Sequence, residues 1–438
     1  MLKRMISRAA DAVKREPLFY GAVVSLNAVL FAVLFLRGPL VEPDTESYVK
    51  MLFHRSPVYP VMLAVFAGMF GAGWLKAVLV FQLIATQFCT FAFAQWFRFR
   101  FALNKAVFWA VYILLLTPLL PGMPDTLMLA NGILTDWLAW CIFMGVAASM
   151  TEAVARRTPG PVLWLCGLSV FAALARPQFQ FLIPVSALFI LAFGYRSGLW
   201  KQAGKLLLVL VVFAAGANIA ERGYHKVLHG SFSMAPFMGL HLATSSLYMA
   251  APGDMEAFKG REDYEFLSSL YAKLRANKLN VEFRGEKNMA VGAYYHTVCD
   301  DIFWETLLPE FDARFGGIAD TNARLKRIDS YGKDIYFTLE EKAFRHPKLA
   351  LSLFLGRNTL AQVYFPFVVM LAALWVFLRR RDSAAMLVFF AFSLDFFNKL
   401  AVSMVSRPVY RYSFYTEIFA ALILLVLVTK TLEKKSLI

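Results

Sequence analysis

Residues 19–37 read FYGAVVSLNAVLFAVLFLR, and residues 38–60 continue as GPLVEPDTESYVKMLFHRSPVYP. The first string holds no charge before Arg37 and is long enough to cross a hydrocarbon core roughly 30 Å thick. The second turns polar at once, with Asp44 and Glu46 behind Pro43. An apolar span that delivers two carboxylates to the membrane surface sets the frame for everything on either side. On the N-terminal side lies MLKRMISRAADAVKREP, with Lys3, Arg4, Arg8, Lys14 and Arg15. Such a basic tail belongs on the cytoplasmic face. No small-residue cleavage site follows the apolar run, so it is expected to stay as the first span.

Toward the C-terminus the same pattern repeats. Hydrophobic residues make up 59% of the chain and charged residues 17%. Soluble domains hold roughly 45–50% and 25%. Spans are expected near 19–37, 74–96, 105–121, 131–150, 161–176, 178–194, 203–221, 359–378, 384–404 and 412–429. That count places Arg98, Arg100 and Lys105 inside, then Arg156 and Arg157, then Arg196, Lys201 and Lys205. Arg379, Arg380 and Arg381 follow, and finally Lys430, Lys434 and Lys435. Every inside loop is then basic and both termini are cytoplasmic. The net charge of +15 is thereby spread over short loops and makes no single basic face, which excludes a nucleic-acid role. Cys89, Cys141 and Cys166 lie in apolar runs and Cys299 in a polar one, with no spacing that suggests a disulfide framework or a zinc site.

Two stretches depart from a plain bundle. Residues 38–73 read as two short helices at the outer interface, the second strongly apolar. Residues 222–358, with KGREDYEF and ARLKRIDSYGKD, carry ordinary globular composition without the alternation of a sheet, and are expected to form a mostly helical outer insertion. The division is thus a transmembrane module over 1–221 containing the outer loop 38–73, the insertion over 222–358, and C-terminal spans over 359–438. Between spans five and six, Arg176-Pro177 breaks the helix, since proline cannot continue it and restricts the residue before.

Ionisable groups near spans carry the functional information, because burying one costs several kcal/mol unless it is paired or hydrated. Asp44 fits a base that takes a proton from an attacking hydroxyl, or else a cap on the helix that follows. Arg55, in His54-Arg55-Ser56-Pro57, fits a bidentate phosphate ligand or a side chain reaching for lipid headgroups. The string Asn131-Gly132-Ile133-Leu134-Thr135-Asp136 opens span four from the outside, which puts Asp136 about one turn into the apolar run, facing inward, or else makes it a cap at the helix start. Asp395 and Lys399, four residues apart, suit a local ion pair. Arg407 and Arg411 flank Pro408-Val409-Tyr410 on the outer side, against the positive-inside trend, which points to an anionic ligand. Arg357 and His346 precede span eight in similar fashion.

The order of these features resembles the GT-C superfamily of membrane glycosyltransferases, of the bacterial protein O-mannosyltransferase and aminoarabinose transferase type. The matching residues are Asp44-Thr45-Glu46-Ser47-Tyr48, Arg55-Ser56-Pro57-Val58-Tyr59-Pro60, Leu134-Thr135-Asp136, Ala175-Arg176-Pro177, His346-Pro347 and Arg411-Tyr412. The resemblance implies an all-α polytopic fold of about ten spans, with interfacial helices after the first. It implies Asp44 as catalytic base with Glu46 and Asp136 in support. Arg55, Tyr59, Arg176, Arg357, Arg407 and Arg411 would hold the donor's phosphate or sugar. No cofactor is expected, a divalent cation held by Glu46 and Asp44 being the disfavoured option. The donor would be a polyprenyl-phosphate sugar and the acceptor a glycan, lipid or protein. The setting would be a bacterial inner membrane, with a periplasmic site. Ser413-Phe414-Tyr415-Thr416-Glu417 departs from the small and proline residues usual after the last Arg-Tyr, and no large C-terminal periplasmic domain is expected. Other classes compatible with an anionic lipid-linked ligand are a flippase or transporter, and an O-antigen polymerase or ligase.

Overall fold

The structure is a computed structural model and describes residues 14–120, 130–343, 348–349, 351–352, 360–405 and 410–433. Among the described residues it is helical with no strand, the one pairing of extended chain being a parallel bridge between Leu40 and Gly132. A helix among the described residues overlaps each of the ten expected spans, although in the span expected at 131–150 it starts only at Asp136. Among the described residues, seven helices are long and apolar enough to cross a membrane. By contact the chain divides into two compact units, Met1–Lys50 with Tyr59–Met144, and Met51–Val58 with Gly145–Ile438.

The first unit contains α1 (Pro17–Arg37), α2 (Pro43–Val49), α3 (Val58–Phe70), α4 (Trp74–Arg100), α5 (Lys105–Leu116) and the start of α6 (Asp136–Arg156). The two short helices expected in the outer loop are α2 and α3. A single 3-10 turn, Gly71–Gly73, joins α3 to α4, so apolar helix runs almost unbroken from Val58 to Arg100. Phe66, Phe81 and Trp137 pack in series, tilted and then edge-on, with ring centroids 5.3 and 5.6 Å apart, and tie α3, α4 and α6 together. Some polar side chains inside this bundle pair across helices: Asn27 donates to the Tyr112 hydroxyl, and Trp140 Nε1 donates to Thr90 Oγ1 at 3.2 Å. The basic residues expected at the cytoplasmic loops gather at the other end. There Glu16 pairs with Arg98 at 3.2 Å and Lys105 at 3.4 Å, and the Arg98 guanidinium covers the Phe19 ring.

The second unit continues with α7 (Pro159–Ala175), α8 (Leu182–Ser197) and α9 (Trp200–His229). Gly230 ends α9 in the left-handed region at φ 70°, where its amide bonds the carbonyls of His225 and Lys226, as a glycine without a Cβ penalty does at a helix C-terminus. The stretch expected as an insertion follows as α10 (Met238–Met249), α11 (Tyr264–Ala276), α12 (Val291–Asp300), α13 (Leu308–Arg314) and α14 (Thr321–Ala343), and it is helical. It has its own core of buried apolar residues, including Leu247, Tyr248, Phe258, Leu267, Phe303 and Ile335. Helices α10 and α14 touch backbone to backbone: a Cβ on Gly239 would stand 1.8 Å from the Asp329 carbonyl oxygen. The Gly239 amide donates to Asp329 Oδ1, and Lys333 holds the other oxygen, both at 2.6 Å. The chain then returns through α15 (Leu360–Arg380), α16 (Ser383–Val405) and α17 (Tyr410–Leu432).

Candidate functional site

In the first unit the acidic loop is stitched to the segment leading into α6. Leu40 N bonds the Asn131 carbonyl at 2.9 Å, and Ile133 N returns a bond to the Leu40 carbonyl at 3.0 Å. Asn131, wholly buried, donates from Nδ2 to the carbonyls of Leu34 and Gly38. Gln82 on α4 donates to the carbonyls of Ala130 and Gly132, and accepts from the Tyr59 hydroxyl at 2.9 Å. An extended chain inside an apolar bundle needs these partners, because each unpaired backbone group there is expensive.

Asp44 sits in the first turn of α2 and is half-buried. It is not the cap of that helix. Glu42 occupies the N-cap; its amide donates to Thr45 Oγ1 at 2.9 Å, and its carbonyl accepts from the Thr45 amide at 2.8 Å. Thr45 is 2% exposed and donates in turn to the Ile133 carbonyl at 3.2 Å, three residues before Asp136. The Ser47 hydroxyl donates to the Asp44 carbonyl at 2.6 Å. The backbone around Asp44 is thus fixed on both sides while its carboxylate keeps access to water. A negative charge in a first helical turn also meets the positive end of the helix dipole.

Its expected supporters divide. Asp136 is the first residue of α6 and 3% exposed, so it opens the helix and does not stand a turn inside it: residues 131–135 are committed to the extended pairing above. Glu46 is exposed and pairs with Lys50 at 2.5 Å, one turn along the same helix. The hydrogen bond from Lys50 holds the Glu46 carboxyl below its ordinary value. Tyr59, expected at the donor, is fully buried between Gln82 and the ring of Tyr48, whose centroid is 5.2 Å away. Among the described residues no cluster of three or more His, Cys, Asp or Glu forms a metal-binding set.

In the second unit the Arg-Pro break meets the start of α17. Arg176 is extended, at φ −153° and ψ 116°, and Pro177 opens a 3-10 turn, so the helix stops where the sequence requires. The Arg176 guanidinium donates to the Tyr415 hydroxyl at 2.9 Å and lies 5.0 Å from the Tyr412 ring centroid. Gln178 and Asn398 both donate to the Tyr412 carbonyl, at 3.1 and 2.8 Å. Beside them Lys399 bridges Asp395 at 2.8 Å and Glu417 at 3.2 Å, and Thr416 donates to the other oxygen of Asp395. The pair expected on α16 is therefore present. Glu417 and Thr416 join it from α17, which spacing on one helix could not show.

Arg176 and the Arg411-Tyr412 step are brought to the same place through Tyr412 and Tyr415. The side chain of Arg411 lies outside the described residues, as do Arg357, Arg407 and His346 altogether. Arg55 belongs to the segment Met51–Val58 and is half-buried. That segment is anchored by Phe53, 1% exposed, whose ring lies 5.0 and 5.1 Å from those of His225 and His229, with the Lys326 ammonium 5.8 Å away. His54 stacks on Phe237 with centroids 4.6 Å apart.

No family model matches the chain, and no curated protein matches it. Among solved structures it is similar to the crystal structure of ArnT from Cupriavidus metallidurans bound to undecaprenyl phosphate, a GT-C glycosyltransferase. The identity is 15%, over 96% of this chain and 79% of that one, with a TM-score of 0.35. At those values the match assigns this chain neither an activity nor any residue its role.

Proposed function

We propose that this membrane protein transfers a sugar from a polyprenyl-phosphate donor to an acceptor hydroxyl at the periplasmic face of a bacterial inner membrane, with inversion at the anomeric carbon. The observation that carries the reading is Asp44: a half-buried carboxylate on a backbone pinned by Thr45 and Ser47, with the capping duty taken by Glu42. Asp44 accepts the proton as the acceptor oxygen attacks C1. The bond from C1 to the phosphate oxygen breaks with its electron pair, and polyprenyl phosphate leaves. Cations offset the charge that develops on that phosphate. Arg55, Arg176 and Arg411, with Arg357 and Arg407, are the residues assigned to it. Tyr59 and Asp136 act by holding the extended segment beside Asp44, and Glu46 with Lys50 sets the local charge. The reaction as written needs no metal.

A flippase for the same lipid-linked glycan is favoured by one observation, the buried Asp395–Lys399 pair joined by half-buried Glu417 between two spans, since ionisable groups in such positions often mark transport paths. The purified chain in lipid nanodiscs, given radiolabelled polyprenyl-phosphate sugars and a membrane acceptor fraction, separates the two. Consumption of donor with release of polyprenyl phosphate and an inverted linkage in the product supports the transferase. Binding of a donor that is never consumed gives the flippase.

A further inference from the structure

Helix α12 does not pass smoothly into α13. Residues Asp301–Leu307 form a π-helical turn. Such turns account for fewer than about 1% of residues and are common at functional sites. The widened turn changes which side chains face out. Phe303 is 3% exposed and joins the insertion's core, while the next residue, Trp304, is 46% exposed. Asp301 and Glu305, on either side of Trp304, are exposed as well.

Trp304 belongs to a larger aromatic surface. Its ring centroid lies 4.6 Å from Phe303 and 5.9 Å from Phe237. Phe237 in turn stacks on His54, one residue before Arg55. Phe303 also backs His241, at 4.5 Å. The rings are thus fixed by one another, so their faces are offered without the entropy cost of ordering them on binding. A pyranose presents C–H groups on one face and hydroxyls around its rim. The C–H face suits the electron-rich face of an indole, and the rim suits carboxylate acceptors such as Asp301 and Glu305.

We propose that Trp304, with Asp301, Glu305, Phe237 and His54, forms a saccharide-binding platform that receives the glycan portion of the acceptor. This deepens the transferase reading and rests on it for the acceptor's role. The stacking and hydrogen-bonding chemistry rests on the platform alone. Its continuity with the Arg55 segment through His54 favours a glycan over a lipid surface as the occupant, as does the carboxylate on each side of Trp304, which anionic headgroups would not seek.

The test uses the full chain in nanodiscs and fluorescently labelled neutral oligosaccharides of hexose and N-acetylhexosamine. Wild type should bind at least one of them, Trp304→Ala should weaken that binding about tenfold or more, and Trp304→Phe should keep most of it. Equal binding by Trp304→Ala, or no binding by wild type, would overturn the platform. If Trp304→Ala instead changes association with protein-free lipid vesicles and leaves saccharide binding intact, the residue is a membrane anchor and the proposal fails. In the transfer assay Trp304→Ala should raise the acceptor KM and leave kcat nearly unchanged. Saccharide binding without any sugar transfer would retain the platform and remove the transferase. Transfer that is indifferent to Trp304 would do the reverse.

Discussion

Asp44 and Asp395 are both carboxylates at or near the membrane, built into opposite settings. Asp395 is 3% exposed, holds Lys399 at 2.8 Å and accepts from Thr416, with Glu417 on the far side of the same ammonium. Asp44 is half-buried on a helix of seven residues, where Ser47 bonds its carbonyl and the neighbouring Thr45 bonds the Ile133 carbonyl. A carboxylate whose lone pairs hold two spans together is occupied by folding. The proposed base is instead set, half-buried, on a braced backbone. The difference teaches that charge in a membrane protein should be read with its partners, and it predicts contrasting costs for removing each.

The largest effect on stability is expected at Lys399. Lys399→Ala leaves Asp395 buried without its cation and should cost about 3–5 kcal/mol, read as a large drop in the unfolding temperature of the detergent-solubilised protein. Adding Asp395→Asn to that variant should recover much of the loss. Equal instability in the double variant would mean that the cluster stabilises by packing and not by charge balance.

His241, in the outer insertion, gives a smaller and pH-dependent term. Burial pushes its imidazole down to about 4. The unfolded chain therefore binds the proton first, near the ordinary value of about 6.5. Stability of the insertion is complete above that pH and falls as pH drops toward 4, by about 2–3 kcal/mol in all. The protection factors of the α10 amides, which correct for the intrinsic pH dependence of exchange, should fall over that window in wild type and stay level in His241→Phe. A flat profile in wild type would remove His241 from the account of the insertion.

At Thr45 the two settings can be brought closer. Thr45→Val removes the acceptor for the Glu42 amide and the donor to Ile133, and should cost about 1 kcal/mol. Because the same bonds brace Asp44, transfer should fall far more than stability does. A proportionate loss of both would show that α2 serves the fold alone.

Much of this was legible in the sequence because it is local. Apolar runs of sufficient length, basic loops and the Arg176-Pro177 stop each declare themselves within a few residues, as does the Asp395–Lys399 spacing. What escaped depends on contacts distant in sequence. Glu417 reaches Lys399 from another helix, and Asn131 and Gln82 pair with extended chain from far-off segments. The capping of α2 escaped for a different reason. Asp44 is a better cap residue than Glu42 by preference, but Pro43 fixes the first helical position and moves the cap one residue ahead of it. The π turn at Asp301–Leu307 escaped because nothing in the residue types there distinguishes it from an ordinary helix.

The most direct measurement compares wild type and Asp44→Asn for donor binding, unfolding temperature and sugar transfer in the same preparation. The exchange is nearly isosteric at a half-exposed position, so stability should move by less than about 0.5 kcal/mol. Donor binding should persist, and transfer should fall by about 100-fold or more with the loss of the base. A variant that still transfers sugar at the wild-type rate would contradict the assignment of Asp44, and with it the central claim about how this membrane protein works.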